Sequence, residues 1–235
     1  MMRLDKYLAD AGFGTRKETK NLIKKKKVLV NDKLITKDDF KVDENKDRVS
    51  VEGILVEYHQ FHYFMLNKPQ GVISATEDGK HKTVLNCLQE PFKDLFPVGR
   101  LDIDTEGLML ITNDGALAHE LLSPKKHVEK CYYLTIKEPL TQQHIEQIEK
   151  GIEIDQQEVC KPARIELIDD YHALLWITEG KFHQVKRMMQ ACQSEVLYLK
   201  RLTMGPLKLD ENLKLGEYRR LTEEEIAALV QCKEK

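Results

Sequence analysis

The spacing of apolar residues changes abruptly near the amino terminus, and this change limits the folds that this part of the chain can adopt. Residues 4–11 place apolar side chains at helical spacing, and Gly12-Phe13-Gly14 ends that pattern. Thr15 and Glu18 then have the spacing of a capping box, which predicts that a second helix begins there. Beyond residue 27 the period shortens to two, so strands follow the helices.

Short strands complete this first module. The alternating residues 28–35 surround the polar pair Asn31-Asp32, a pattern typical of a hairpin, and residues 48–51 predict a third strand. A short polar bridge then separates this region from a new apolar strand. We therefore predict one compact domain over residues 1–58 and a second domain over residues 59–235.

The second domain mixes strands and helices without a regular alternation. Apolar or alternating segments predict strands near residues 63–67, 108–112, 130–137, 163–168, 173–178 and 195–203. Helical spacing predicts helices near residues 115–122, 142–150, 184–192 and 222–230. Because doubly wound parallel sheets need alternating β-α-β units, the pattern favours an α+β fold with a mixed, mainly antiparallel sheet.

Composition excludes several classes of protein. The chain has 235 residues, of which 41% are hydrophobic and 32% charged, as is typical of a globular protein. No apolar run approaches the roughly 18 residues that a membrane helix needs, and the start of the sequence has no apolar signal core. The five scattered cysteines never form C-x-x-C, which favours reduced thiols in the cytoplasm and disfavours zinc. Three histidines lack metal-ligand spacing and are expected at the surface or facing a nucleic acid: His119, His127 and His183.

The net charge of −2 conceals an uneven distribution. Residues 1–37 carry 11 Lys/Arg and 4 Asp/Glu, whereas residues 38–58 carry 3 and 7. A basic cluster on a small domain is typical of a polyanion binder, because neutralised phosphates release condensed counterions. A solvated charged surface would give the same count, so charge alone leaves both interpretations open.

Carboxylates concentrate in residues 99–108, directly before an apolar strand. Asp102 and Asp104 could act as general acid and base, bind a metal, or only stabilise a turn. Arg100 could bind a phosphate or brace the loop through an ion pair. Loops on rigid scaffolds often carry catalytic groups, so this segment is a candidate active site.

A second polar segment, residues 179–188, leads into a predicted helix. Lys186 and Arg187 lie beside the apolar face of that helix and could reach a neighbouring loop or remain solvated. A lysine close to an aspartate favours the charged carboxylate. If Lys186 pairs with a buried aspartate, the pair would therefore provide a nucleophile or a base.

The first domain resembles the S4 RNA-binding domain through residues 3–8, 15–18 and 28–32. The resemblance implies that the face of the second helix and the turn after it contact RNA backbone. Seven basic residues would make these contacts: Arg3, Lys6, Arg16, Lys17, Lys20, Lys24 and Lys25. Phosphate contacts fix register without reading sequence, so this domain is expected to dock on structured RNA.

The second domain resembles the pseudouridine synthases of the small-subunit rRNA type. Four segments carry this resemblance in the family's order: residues 64–71, 99–108, 130–132 and 179–188. It implies that a uridine of 16S rRNA, at position 516 in reference bacterial numbering, is isomerised without any cofactor or metal. The expected partner is 16S rRNA or the assembling small ribosomal subunit, with neither a membrane nor a nucleotide cofactor, and we expect a monomer.

The same resemblance implies roles for individual residues. Asp102 is the expected essential carboxylate, Tyr132 is expected to pack on the target uracil, and Lys186 is expected to pair with the aspartate. Arg100 and Arg187 are expected to contact RNA. The carboxylate could attack the anomeric carbon or remove a ribose proton, and both routes stay open.

Three other functions stay open at this stage. The same chemistry could act on a uridine of 23S rRNA, since RNA shape determines the target. A non-catalytic rRNA-binding factor would explain the basic first domain but would leave the acidic loop without a task. A metal-dependent nucleoside hydrolase would use Asp102 and Asp104 and would release free uracil.

Overall fold

The computed structural model describes the chain in four stretches: residues 1–92, 94–123, 126–155 and 158–234. They form two compact units. The first unit comprises Met1–His62 together with Gln89–Leu95, and the second comprises Tyr63–Leu88 together with Phe96–Lys235. The sequence pattern did not indicate that Gln89–Leu95 packs with the first unit, and the boundary between residues 58 and 59 stays a prediction.

Two helices open the first unit, and their ends follow local sequence. Helix α1 spans Leu4–Asp10 and helix α2 spans Arg16–Lys24. The capping box at the start of α2 is confirmed. The Glu18 amide donates to the Thr15 hydroxyl at 3.3 Å, and the Thr15 amide donates to the Glu18 carboxylate at 2.6 Å. The apolar faces of both helices are buried against the strands of the unit.

Short strands complete the first unit: β1 (Met2–Arg3), β2 (Val28–Val30), β3 (Lys33–Leu34), β4 (Lys41–Val42), β5 (Val49–Val51) and β6 (Ile54–Leu55). Four of them form a sheet in the order β3-β2-β5-β6, and β1 pairs with β4. The hairpin predicted at Asn31-Asp32 is confirmed. Both residues take positive φ, 50° and 62°, as a two-residue turn between β2 and β3 requires.

The second unit is built around a nine-stranded sheet. Its strands, with a separate β11-β12 ribbon, are β7 (Tyr63–Lys68), β8 (Phe96–Pro97), β9 (Glu106–Thr112), β10 (Lys130–Ile136), β11 (Glu153–Asp155), β12 (Glu158–Val159), β13 (Arg164–Leu167), β14 (His172–Ile177), β15 (Val196–Met204), β16 (Leu207–Lys208) and β17 (Tyr218–Arg220). Its helices are α3 (Gly115–Leu122), α4 (Gln142–Lys150), α5 (Gln184–Ala191) and α6 (Glu223–Glu234), with a 3-10 helix at Val84–Cys87. No described helix is long and apolar enough to cross a membrane.

The large sheet runs in the order β13-β14-β10-β15-β9-β7-β17, with β8 beside β9 and β16 beside β15. Its strand pairs are antiparallel except for β9 and β15, which run parallel, so the α+β fold with a mainly antiparallel sheet is confirmed. Helices α3 and α6 pack their apolar faces against this sheet. Because β9 and β15 run the same way, the loop before β9 and helix α5 before β15 lie at one end of the sheet.

Close approach of backbones permits only glycine at one point of this parallel pair. Gly107 lies opposite Arg201, with a positive φ of 102°. A Cβ atom at residue 107 would lie 2.3 Å from the Arg201 carbonyl oxygen, closer than any side chain allows. The absence of a side chain therefore lets β9 enter the sheet directly after the loop that carries Asp102.

Candidate active site

Two carboxylates and one lysine meet at this end of the sheet. Lys186, on α5, places its Nζ 3.3 Å from Asp102 Oδ2. The same Nζ lies 2.6 Å and 2.8 Å from the two carboxylate oxygens of Asp104. The structure thus brings Lys186 to Asp102, and it adds shorter contacts with Asp104 that the sequence did not indicate.

His183 contacts the other side of the Asp102 carboxylate. Its Nε2 lies 3.6 Å from Asp102 Oδ1, whereas Lys186 approaches Oδ2. His183 precedes α5 and takes a left-handed φ of 48°, an uncommon conformation for a residue with a side chain. The sequence analysis missed this contact, because it placed His183 at the surface or facing a nucleic acid.

Ion pairing controls the charges of Asp104 and Lys186. Burial alone would raise the pKa of Asp104, but the hydrogen bond from Lys186, the charge of Lys186 and further nearby groups together hold that pKa below its usual range. Burial alone would lower the pKa of Lys186, but its bonds to Asp104 and Asp102 raise it. Lys186 is therefore a fixed positive charge beside Asp102.

A cavity of about 800 Å³ is lined by Asp102, Tyr132 and Phe182. This volume lies within the roughly 300–1,000 Å³ typical of small-molecule sites. Basic side chains outnumber acidic ones around it, with Arg100, Lys130, Lys181, Lys186 and Arg201 against Asp102 and Glu179. The excess of basic side chains therefore suits an anionic ligand, and the rings of Tyr132 and Phe182 suit a planar group.

Alternation along β10 separates the neighbouring tyrosines Tyr132 and Tyr133. Tyr132 is 7% exposed and lines the cavity. Tyr133 instead stacks on His172, with ring centroids 5.9 Å apart, and meets Tyr198 edge to face. Successive side chains of a strand point to opposite faces, so only Tyr132 can contact a ligand in the cavity.

A buried lysine holds the loop that carries Asp102. Lys68, at the end of β7, is fully buried, and its Nζ donates to three backbone carbonyls. These are the oxygens of Pro69 at 3.0 Å, Asp102 at 3.0 Å and Thr105 at 2.9 Å. Burial lowers the pKa of Lys68 to about 8, although the nearby Asp104 and Asp102 carboxylates raise it. A lysine is rarely buried without partners. The position of Lys68 at the end of an apolar strand could therefore have indicated that it binds nearby polar groups.

Residues that follow Lys68 hold the same loop at two further points. The Gly71 amide donates to the Ile103 carbonyl at 2.8 Å. The Ser74 hydroxyl donates to the Leu101 carbonyl at 2.8 Å and accepts from the Leu101 amide at 2.9 Å. The backbone on both sides of Asp102 is therefore fixed by groups that the sequence did not single out, and such preorganisation is what an active site needs.

Comparison with known proteins decides the family. Residues 62–191 match the RNA pseudouridylate synthase family, and residues 2–47 match the S4 domain. The chain is 48% identical to an uncharacterized RNA pseudouridine synthase of Bacillus subtilis, YtzG, over 97% of this chain and 98% of that protein. The chain belongs to the RNA pseudouridine synthase family.

Other relatives of this pseudouridine synthase carry more specific names. It is 44% identical to ribosomal small subunit pseudouridine synthase A of Vibrio cholerae, over 97% of this chain and 99% of that one. The protein of the same name from Escherichia coli is 41% identical, over 97% of this chain and all of that one. A crystal structure of a pseudouridylate synthase matches with a TM-score of 0.69 and 37% identity, covering 97% of this chain and all of that one.

Arg100 and Arg187, which we expect to contact RNA, have different surroundings in the synthase. Arg100 is exposed, lines the cavity and has no ion pair with any described residue. Arg187 instead contacts the carboxylates of Asp155 and Glu158 and donates to the Phe182 carbonyl at 3.0 Å. These ion pairs connect α5 to β11 and β12, an arrangement that the sequence did not indicate.

The S4 domain of the synthase arranges three of its predicted RNA-binding residues around one buried carboxylate. Asp5 is fully buried and lies 3.0 Å from Arg3, 3.3 Å from Arg16 and 3.7 Å from Lys20. Lys6 lies 3.9 Å from Asp10. The other predicted residues are exposed and have no ion pair within the described stretches: Lys17, Lys24 and Lys25.

Proposed function

We propose that this synthase isomerises a uridine of 16S rRNA and that Asp102 is its essential carboxylate. The observation that carries the proposal is the position of the Asp102 carboxylate in the cavity, 3.3 Å from Lys186 and 3.6 Å from His183. The names of the relatives from Vibrio cholerae and Escherichia coli support a small-subunit rRNA target. Position 516 in reference bacterial numbering is the expected uridine.

The chemistry needs a carboxylate at the sugar and a surface that holds the base. The bond from N1 to C1′ breaks, the uracil turns while bound, and a bond from C5 to C1′ forms. The proton at C5 leaves and N1 gains one, so the product has the same atoms as the substrate. Asp102 can attack the anomeric carbon or remove a ribose proton, and Lys186 places a positive charge 3.3 Å from its carboxylate.

Tyr132 provides the surface for the base. A nucleotide must leave its helical stack before a side chain can reach its sugar, and aromatic side chains stabilise such a flipped base. Tyr132 lines the same cavity as Asp102 and is held in β10 between β14 and β15. We infer that the uracil packs on this ring while it turns.

Tritium release from RNA labelled at uridine C5 tests the role of Asp102, because isomerisation frees the C5 hydrogen. We expect release by the wild type and a loss on the order of 10³-fold or more in Asp102→Asn, with RNA affinity retained. Asp104→Asn is the matched control, because it removes the carboxylate charge that pairs with Lys186 and leaves Asp102 in place. Full turnover by Asp102→Asn would refute the assignment.

The choice of RNA tests the target. We expect the wild type to release tritium from 16S transcript or assembling small subunits, and mapping of the product to locate uridine 516. Release from 23S rRNA alone would refute the 16S target and leave the chemistry intact. Tight binding to every RNA without release would favour the non-catalytic binding factor.

A further inference from the structure

A large aromatic side chain is exposed at the edge of the cavity. Phe182 is 66% exposed, and it lines the same cavity as Asp102 and Tyr132. Its ring lies against the imidazole of His183, with centroids 3.8 Å apart and planes inclined by 20°. One face of the phenyl ring is thus covered by His183, and most of the rest meets solvent.

The backbone that carries Phe182 is held from both sides. The Phe182 carbonyl accepts from the Arg187 guanidinium at 3.0 Å. On the other side, the Lys181 amide donates to the buried Gln184 side chain at 2.9 Å, and that side chain donates to Glu179 at 2.9 Å. A ring on such a fixed turn loses little conformational entropy on binding, as a preorganised contact requires.

The surroundings of the ring favour a nucleobase as its ligand. Arg100 and Lys181 line the same cavity as Phe182, and cations attract the phosphates that flank any base of an RNA strand. Aromatic rings next to basic side chains are typical of sites for unstacked nucleotides, because every base has a π-face. Tyr132 is buried and is taken by the target uracil, so the exposed Phe182 remains for a different base.

We propose that Phe182, supported by His183, stacks on a nucleobase adjacent to the target uridine and so holds the RNA strand open while the target is in the cavity. This inference rests on the proposed function. Removing the target from the helix leaves the neighbouring base without its stacking partner, and the Phe182 ring would replace that partner. The left-handed φ of His183 is consistent with this role, since unusual backbone conformations concentrate at functional sites.

Three variants of one residue separate stacking from other effects. We expect Phe182→Ala and Phe182→Leu each to lower kcat/KM for 16S RNA by about tenfold, because each removes the ring on which a base would stack. Phe182→Tyr keeps a ring and should stay near the wild-type value. Tyr171→Ala is the matched control: Tyr171 is also an exposed aromatic of this unit but does not line the cavity. Melting temperatures should be unchanged throughout.

Abasic RNA provides the decisive measurement. We would remove the base on the 5′ side or the 3′ side of the target and repeat the comparison of wild type with Phe182→Ala. If Phe182 stacks on one neighbour, the tenfold loss disappears on the RNA that lacks that base and persists on the other. An equal loss on all three RNAs, or no loss on intact RNA, would overturn the inference. Absence of tritium release by the wild type would instead refute the proposed function.

Discussion

The S4 domain and the candidate active site each contain an ion pair between an aspartate and a basic side chain, but the buried partner differs. In the S4 domain the carboxylate of Asp5 is fully buried, while Arg16 on its surface keeps 54% of its side chain exposed. In the active site Lys186 is the more buried partner, with 24% of its side chain exposed, while Asp104 keeps 59% exposed. The buried member of each pair fixes the exposed member and leaves it accessible.

This difference indicates what each region presents to RNA. A buried aspartate surrounded by Arg3, Arg16 and Lys20 orders cations at the surface, where they can contact phosphates. A partly buried lysine holds the Asp102 carboxylate, which lines the cavity and which we propose acts on the sugar of the target uridine. Which partner is buried, rather than the presence of an ion pair, distinguishes the proposed docking surface from the proposed catalytic site.

Among the variants that test this comparison, removal of the Lys186 cation should have the largest effect. We expect Lys186→Met to lower kcat for tritium release by roughly 10²-fold, the scale of losing one preorganised charge from an active site. The dissociation constant for RNA should change by less than about threefold, because Lys186 acts through the carboxylates. Lys137→Met, which removes an exposed pair with Glu195, is the control and should leave kcat unchanged. A loss confined to RNA affinity would show instead that Lys186 contacts the substrate.

Removing the buried carboxylate of the S4 domain should have the next largest effect. At pH 7 we expect Asp5→Asn to lower the free energy of unfolding by about 1–3 kcal/mol, because the amide cannot replace charged hydrogen bonds to Arg3 and Arg16. Calorimetry of the full chain measures the change. Asp10→Asn, which alters an exposed pair with Lys6, should stay within about 0.5 kcal/mol of the wild type.

The pH dependence of the same variant tests the cause. Burial alone would raise the pKa of Asp5, but hydrogen bonds from Arg3 and Arg16 bring it below its usual range. A carboxylate with a lowered folded pKa adds stability above its unfolded pKa, about 4, and that stability is lost as the pH falls through the folded pKa. The difference between wild type and Asp5→Asn should therefore shrink below about pH 4. A constant difference from pH 7 to pH 3 would contradict an ionic origin.

Removing one exposed cation of the S4 domain should have the smallest effect. We expect Lys17→Ala to weaken RNA binding a few-fold for every RNA sequence. The decrease of log affinity with log salt should become less steep, by about one unit of slope. Lys33→Ala is the control, since Lys33 is an exposed lysine of the same unit outside the predicted RNA-binding set. Equal salt slopes for Lys17→Ala and the wild type would exclude a phosphate contact at Lys17.

Features that depend on neighbouring residues could be predicted from the sequence. The capping box predicted at Thr15 is confirmed, and Thr222 and Glu225 make the same two bonds before α6, because each box joins groups three residues apart. The hairpin at Asn31-Asp32 is confirmed for the same reason. In these places a short stretch of chain determines its own conformation.

Features that depend on distant residues could be predicted only in part. The motifs indicated Asp102 and Lys186, but the bond between Lys186 and Asp104 joins residues 82 positions apart. Its geometry follows from the parallel pairing of β9 and β15, which no local pattern encodes. The three carbonyls around Lys68 and the contact of His183 with Asp102 depend on the same assembled sheet, so the sequence did not indicate them.

The first unit is assembled from two separate segments of the chain, so its folding depends on how far synthesis has advanced. The ring of Phe92 stacks on His62 at 3.6 Å, within the segment Gln89–Leu95 that packs with Met1–His62. This unit is therefore complete only when residue 95 is available, 33 residues after residue 62. At about 5–20 residues per second, a ribosome needs roughly 2–7 s to add them. For that interval His62 of the nascent first unit lacks its stacking contact with Phe92.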